Sequence, residues 1–250
     1  MNARAIVTVA LMGVAAGIII IAVNQHPREV VPYTPVKEIG TPDADWDSTK
    51  CYGSNTLKQE ESCPETIEEI VEHVSLVSMT DERLQAEDVI VVLKAKWLMG
   101  MYSFGKLRTD PVTGKPACWH VGLGMHENGS VAGGRKVVRG DRRTPEGWYR
   151  ISEKKASGFA GALIVHYPNL TDAKLARTAG IISEVTYERI ATAHQRGSLP
   201  PQDTDLGGDI LFHGGGGITN GCVGLMDKDL DAFRGLLPPK LSDVWTLLLP

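Results

Sequence analysis

The stretch that most constrains this chain is residues 209–225, which read DILFHGGGGITNGCVGL. A short apolar run ends at His213, four glycines follow, and Cys222 comes directly after Gly221 and before a second apolar run. The apolar runs predict buried strands, and glycine lets the connecting backbone turn sharply. A thiolate nucleophile needs a nearby base, free access and backbone N–H groups that hold an oxyanion. The stretch therefore fits a catalytic cysteine–histidine pair, although a buried cysteine and a strand-end histidine joined by a flexible turn fit the same spacing.

The N-terminal residues predict a membrane anchor. Residues 5–23 carry no charge and are long enough to cross a hydrocarbon core, and Arg4 precedes them. We therefore expect a cytoplasmic stub at residues 1–4, a transmembrane signal anchor at 5–23, and the rest of the chain on the periplasmic or extracytoplasmic side. A cleaved signal peptide is the alternative, but the residues before Asn24 match a small-x-small cleavage site poorly.

The anchor is followed by a predicted linker and a lead-in segment. Residues 24–50 contain four prolines, which exclude a continuous helix and predict an extended tether. Residues 51–87 predict a helical lead-in, and Cys51 and Cys63 predict a disulfide in an oxidising compartment, with two free thiols as the alternative.

Residues 88–250 are long enough for one domain with its own core. The net charge of −4 argues against non-specific binding of nucleic acid.

Two further groups of side chains are candidates for a site. Cys118 and His120 would share one face of a predicted strand, where parallel side chains suit neither proton transfer nor an oxyanion hole. No metal site is predicted, because no further ligand residues fall at metal-binding spacing. Arg135 and Lys136 begin a basic cluster in an acidic chain. Such a cluster favours a substrate with carboxylates, a solvated basic loop being the alternative.

Three separated motifs occur within residues 89–249. Residues 140–151 read GDRRTPEGWYRI, residues 211–214 read LFHG, and residues 219–223 read TNGCV. In the same order, they resemble the GD-x-x-TPEG-x-Y-x-I signature, the histidine strand and the S/T-x-G-C-I/V nucleophile signature of L,D-transpeptidase catalytic domains of the YkuD type.

This resemblance implies both a fold and a chemistry. The fold is expected to be mainly β, mostly antiparallel and sandwich-like, with a few helices. Cys222 is expected to attack a stem peptide of peptidoglycan and form a thioester, with His213 as the base and the Gly214 carbonyl orienting the imidazole. The nearby imidazole is expected to lower the pKa of the thiol. The chemistry requires no metal and no organic cofactor.

The positions around the cysteine carry the remaining expectations. Backbone N–H groups at Gly221 and the cysteine are expected to hold the oxyanion, and Thr219 and Asn220 to contact substrate. Gly224 stands where the family often has arginine, and the stretch between histidine and cysteine is short. Both features resemble the branch that includes murein amidases and endopeptidase-like relatives. Cross-linking transfer and hydrolysis of a peptide or amide bond therefore both stay open, as does a non-catalytic wall-binding module.

Overall fold

The computed structural model describes residues 62–125 and 134–250. The α-helices in these ranges are α1 (Ile67–Val71), α2 (Leu170–Thr178), α3 (Glu184–Gln195) and α4 (Asp227–Leu236). The strands are β1 (Val89–Leu93), β2 (Leu98–Ser103), β3 (Lys106–Leu107), β4 (Cys118–His120), β5 (Gly147–Tyr149), β6 (Ile151–Glu153), β7 (Leu163–Val165), β8 (Leu211–His213), β9 (Val223–Gly224) and β10 (Trp245–Leu249). Short 3-10 helices cover Glu82–Gln85, Lys94–Lys96 and Leu241–Asp243.

The first sheet is built around β1, whose residues read VIVVL. Its strand order is β3-β2-β1-β10-β5, and β4 also pairs with β2. β1 pairs antiparallel with β2 across the 3-10 turn Lys94–Lys96, and parallel with β10, the last strand of the chain. All five residues of β1 are buried, which explains why this run is continuously apolar instead of alternating.

The second sheet carries the strands of the histidine and cysteine motifs, in the order β6-β7-β8-β9. One chain segment joins the two sheets. It forms β5 in the first sheet, continues through Arg150 and forms β6 in the second sheet. The facing sides of the two sheets share one hydrophobic core, to which Val92 and Phe212 belong. The expectation of a mainly β, sandwich-like fold is therefore confirmed. The expectation of a mostly antiparallel arrangement is only partly right, because the β1–β10 and β8–β9 pairs are parallel and both sheets are mixed.

The lead-in segment covers the outer face of the first sheet. Thr66 caps α1 by accepting a hydrogen bond from the Glu69 N–H (3.3 Å). Ile67 and Ile70 then pack in a second hydrophobic cluster with the outward-facing residues of β1, such as Val91. Of the predicted helical lead-in, the described part contains only the five-residue α1 and the 3-10 helix Glu82–Gln85.

The prediction of a Cys51–Cys63 disulfide is wrong, because Cys63 is bonded to Cys118 in β4. The two Cα atoms lie 5.8 Å apart although the residues are 55 positions apart in the chain. Cys51 lies outside the described residues. Proximity in sequence favoured the shorter loop, whereas packing of the lead-in on the first sheet brings Cys63 beside β4. Because Cys118 is oxidised, it is not a free nucleophile, which leaves Cys222 as the free cysteine of the described residues.

The predicted stub, anchor and linker at residues 1–4, 5–23 and 24–50 lie outside the described residues and stay predictions. In residues 62–125 and 134–250, no helix combines the length and the apolar character that crossing a membrane requires.

Candidate active site

A tight turn places Cys222 at the start of β9. The Thr219 hydroxyl donates to the Cys222 carbonyl oxygen (2.7 Å) and accepts from the Gly221 N–H (3.1 Å). Gly221 has a φ of +122°, and a Cβ at this position would lie 2.8 Å from the carbonyl oxygen of Arg143. The residue before the cysteine therefore has to be glycine, both for its backbone conformation and for the space available.

The same turn rests on a glycine-containing segment that the sequence analysis did not single out. Gly122 and Gly224 exchange two backbone hydrogen bonds (2.7 and 2.9 Å), and the Thr219 N–H donates to the Leu123 carbonyl (3.0 Å). A Cβ on Gly122 or Gly124 would collide with backbone atoms of the neighbouring loops. The glycines in VGLG, residues 121–124, are the sequence signal for this close backbone approach.

His213 and Cys222 lie on the same face of the second sheet. In the parallel β8–β9 pair, His213 is opposite Gly224 and Phe212 is opposite Val223. Strand side chains alternate, so the face that carries His213 also carries Leu211 and, on the neighbouring strand, Cys222. The packing of Cys222 against the cluster that contains Leu211 agrees with this placement.

A backbone contact fixes which ring nitrogen of His213 carries a hydrogen. His213 is buried, and its Nδ1 lies 2.6 Å from the Gly214 carbonyl oxygen. A carbonyl oxygen can only accept, so Nδ1 carries the hydrogen and Nε2 of the neutral ring holds a free lone pair. The Gly214 carbonyl therefore lies where the family resemblance places it, and Nε2 is the atom that can accept a proton.

The thiol of Cys222 is held by backbone groups. Its Sγ accepts from the Leu211 N–H (3.4 Å) and donates to the Asp209 carbonyl oxygen (3.5 Å). Burial raises the pKa of the Cys222 thiol, and the carboxylate of Asp209 acts in the same direction. The expectation of a lowered pKa is therefore wrong for this state, because desolvation outweighs the groups that stabilise the thiolate.

An aromatic ring that sequence reasoning missed covers one side of the imidazole. The ring of Phe159 stacks on His213 with centroids 4.2 Å apart and an interplanar angle of 27°. Phe159 belongs to the connection between β6 and β7, which reads KKASGFAGA over residues 154–162. An ion pair between Lys154 and Asp209 (2.6 Å) holds one end of this connection. The only available signal was one large aromatic residue among small and polar ones.

The residues of the TPEG motif form the support beneath the nucleophile turn. The Thr144 hydroxyl accepts from the Gly124 N–H (3.0 Å), which ties the motif to the segment under the turn. Glu146 pairs with the buried ammonium of Lys94 (2.6 Å), which also donates to the Thr144 carbonyl (3.1 Å). Burial lowers the pKa of Lys94. The motif thus acts through buried pairing and not through exposed catalytic groups.

Comparison with known proteins places this site in a family. Residues 119–245, more than half of the chain, match the YkuD family model, the L,D-transpeptidase catalytic domain. The chain belongs to this family. The recognition made from the three sequence motifs is therefore confirmed.

Two solved structures are similar to this L,D-transpeptidase-family chain. One is the helical cell shape determining protein Pgp2 from Campylobacter jejuni, with 21% identity and a TM-score of 0.40 over 64% of this chain and 46% of that one. The other is Bd1075 from Bdellovibrio bacteriovorus, with 16% identity and a TM-score of 0.39 over 75% of this chain and 53% of that one. The chain spans about half the length of these structures. None of the curated proteins compared with the chain matches it.

The other expected site residues of this L,D-transpeptidase domain lie in different surroundings. Asn220, two residues before Cys222, is exposed, so it can meet a substrate. The hydroxyl of Thr219 and the N–H of Gly221 bond to each other, so neither is open to a substrate or an oxyanion in this state. Among residues 62–125 and 134–250, no group of three or more His, Cys, Asp or Glu side chains could hold a metal ion.

The two basic residues predicted to bind substrate serve other contacts. Lys136 is buried and pairs with Asp141 (2.6 Å), whose carboxylate also accepts from backbone N–H groups of its own loop. Arg135 contacts Asp172 (3.5 Å) and donates to the Glu146 carbonyl (3.1 Å). It lines a cleft that does not include Cys222. Both charges are therefore used to hold the loop, and the ammonium of Lys136 has only a small lowering effect on the pKa of Cys222, which burial raises.

Proposed function

We propose that the protein is a peptidoglycan-modifying cysteine L,D-transpeptidase that acts on stem peptides through a thioester acyl-enzyme. Membership of the L,D-transpeptidase family supports the class of reaction. The observation that carries the proposal is the placement of Cys222 and of an imidazole with a free Nε2 on one face of the sheet.

Acylation begins with the thiol turning from the Asp209 carbonyl towards the imidazole. Nε2 of His213 takes the thiol proton, and Sγ of Cys222 attacks the carbonyl carbon of the diamino acid at its bond to D-alanine. The carbonyl π-bond opens to an oxyanion, to which the backbone N–H of Cys222 donates. When the oxyanion collapses, the C–N bond breaks, and the imidazolium protonates the leaving amine. The products are a thioester and free D-alanine.

Deacylation reverses the proton movements. An incoming amine of a second stem peptide, or water, gives a proton to Nε2 and attacks the thioester carbonyl. The C–S bond then breaks, and the sulfur leaves as a thiolate that is reprotonated. An amine yields a cross-link, whereas water yields a shortened stem peptide.

Hydrolysis of a peptide or amide bond in the wall is the second candidate, and the surroundings of Gly224 favour it. Many members of the family have arginine at this position, but a Cβ here would lie 3.2 and 3.3 Å from the carbonyl oxygens of Gly216 and Gly217. A glycine at this position leaves the site without the arginine that could bind the carboxylate of an acceptor peptide there. Water competes better when the acceptor is held less firmly.

We also propose that the catalytic domain works outside the cytoplasm, anchored by residues 5–23. The uncharged run behind Arg4 supports anchoring. The Cys63–Cys118 disulfide supports an oxidising compartment. The test is fractionation of cells that express the full chain, followed by protease accessibility of the domain. A soluble mature form that starts near Asn24 would contradict the anchor.

The deciding experiment is intact-protein mass spectrometry after incubation with a disaccharide-tetrapeptide. We expect an acyl adduct on Cys222, no adduct with Cys222→Ala, and acylation slowed by about 10²-fold or more with His213→Ala. Cys51→Ala is the matched control and should acylate normally. Binding of the substrate without any adduct would instead indicate a wall-binding module. Analysis of the released muropeptides then separates transfer from hydrolysis.

A further inference from the structure

Phe159 is a large apolar residue whose place in the structure is not explained by burial. It is 46% exposed, and none of the hydrophobic clusters formed by the described residues includes it. The residues around it, from Lys155 to Gly161, are exposed as well. Its ring instead stacks on the imidazole of His213, with the two centroids 4.2 Å apart. The role of this ring therefore has to be sought in what it does to the imidazole.

Ion pairs and a hydrogen bond hold both ends of the connection that carries this ring. Lys154 pairs with Asp209 (2.6 Å), which directly precedes the strand segment of the histidine motif. On α4, Arg234 pairs with Glu153 (3.0 Å) and also donates to the Gly161 carbonyl (3.0 Å). Because both ends are held, the connection keeps the aromatic ring over the imidazole.

The stack acts differently on the two protonation states of the imidazole. The face of an aromatic ring is negative, so it attracts a cation that lies over it within about 6 Å of its centre. Two uncharged rings gain less from facing each other, because they prefer offset or edge-to-face arrangements. At 4.2 Å and an interplanar angle of 27°, the Phe159 ring therefore stabilises the imidazolium of His213 more than the neutral imidazole.

The other groups around the imidazole leave a need for this stabilisation. Nδ1 binds the Gly214 carbonyl, whose partial charge favours the imidazolium less than a carboxylate would. Asp209 is already paired with Lys154, and Asp227 accepts from the Gly215 N–H (2.7 Å). Since the imidazole is buried, its charged form also loses hydration. The elements around the ring carry these charged or titratable groups: Lys154, Lys155, Asp209, Cys222 and Asp227.

We propose that Phe159 is a positioning residue whose ring stabilises the imidazolium of His213 that forms when Cys222 is deprotonated. The proton moves from Sγ to Nε2, which leaves a thiolate and an imidazolium, and no other bond forms or breaks. The contact becomes stronger in the charged state, and an interaction that strengthens during a step speeds that step. The proposal rests on the proposed function only for the assignment of these two residues as nucleophile and base.

The test is the rate at which iodoacetamide alkylates Cys222 from about pH 5 to about pH 10, measured on the full chain by peptide mass spectrometry. Iodoacetamide reacts with the thiolate, so no peptidoglycan is needed. Phe159→Leu keeps an apolar side chain but lacks an aromatic face, and we expect it to lower the rate at pH 7 about three- to tenfold. At high pH the thiol ionises without the imidazole, so the rate there should stay within about twofold of the wild type.

Matched variants separate the aromatic face from packing. Phe159→Trp retains an aromatic face and should be alkylated at pH 7 at least as fast as the wild type. Phe104→Leu makes the same change at another exposed aromatic residue, in the turn between β2 and β3, and should change nothing. In a His213→Ala background, Phe159→Leu should no longer lower the rate at pH 7, because the ring acts through the imidazole.

Three results would overturn the proposal. The first is a rate at pH 7 that Phe159→Leu leaves unchanged, and the second is an equal loss with and without His213. The third is a loss in Phe159→Trp as large as that in Phe159→Leu, because packing and not the aromatic face would then matter.

Failure of the proposed function gives a different pattern. If His213→Ala left the rate at pH 7 unchanged, the cysteine–histidine pair itself would be wrong, and both proposals would fail. If all variants were alkylated as expected but no acyl adduct formed with the disaccharide-tetrapeptide, the proposed substrate would be wrong. That second result would still support the role of Phe159.

Discussion

Loss of the Cys63–Cys118 disulfide should lower the free energy of unfolding by about 4 kcal/mol. The bond joins residues 55 positions apart. In the chain-entropy treatment, a loop of this length lowers the entropy of the unfolded chain by about 14 cal/mol/K, which is about 4 kcal/mol at 25 °C. The bond also anchors the lead-in, since Cys63 is buried and its N–H donates to Sγ of Cys118 (3.0 Å).

The assay is urea unfolding of the full chain, followed by tryptophan fluorescence, for the wild type and for Cys63→Ala/Cys118→Ala. We expect the midpoint to fall and the slope to rise, because the unfolded chain expands once the loop is opened. Cys51→Ala is the matched control and should unfold like the wild type. Counting of thiols under denaturing, non-reducing conditions should assign Cys51 and Cys222 as free.

A different pattern would refute this pairing. If Cys51→Ala destabilised the domain as much as the double variant, Cys51 would be the partner of Cys63, as its spacing first suggested. If the double variant lost less than about 1 kcal/mol, well below the usual range for a native disulfide, the loop would not be constrained in the way described.

Three further predictions concern the support of the site. Burial raises the pKa of Asp172 to about 6, so its protonated form stabilises the fold at low pH, and this stabilisation is lost as the pH rises from about 4 to about 6. In urea unfolding, the free energy of unfolding of Asp172→Asn should rise relative to the wild type by about 3 kcal/mol between pH 4 and pH 7, and a constant difference would contradict this. Glu146→Ala leaves the buried Lys94 ammonium unpaired and should lower the free energy of unfolding by about 3 kcal/mol, whereas Lys94→Met/Glu146→Leu should recover most of it. Gly221→Ala forces a Cβ against the Arg143 carbonyl, so it should lower the free energy of unfolding by about 1–3 kcal/mol and slow acylation. Acylation at the wild-type rate would show that the reaction does not depend on this turn conformation.

Local patterns were enough to find the elements that carry the candidate catalytic residues. The short apolar run before His213 forms β8, and Cys222, which follows Gly221, lies directly before β9, as the sequence predicts. The apolar run of β1 and the strand at the end of the chain were also predictable, because burial of a strand on both faces leaves a continuous apolar signal. The pairing of β1 with β10 was not, because no local pattern encodes a parallel partner at the other end of the domain.

Sequence alone determined which residues are the candidate nucleophile and base, since residue type and order within the motifs are local properties. Tertiary structure decided which contacts their neighbours make. It paired Cys63 with Cys118 instead of Cys51, used the Thr219 hydroxyl to hold the turn, and placed Phe159 on the imidazole. It also decided the pKa of the thiol, because that depends on how far Cys222 is removed from water, and burial is a property of the packed sheets, not of the residues that flank the cysteine.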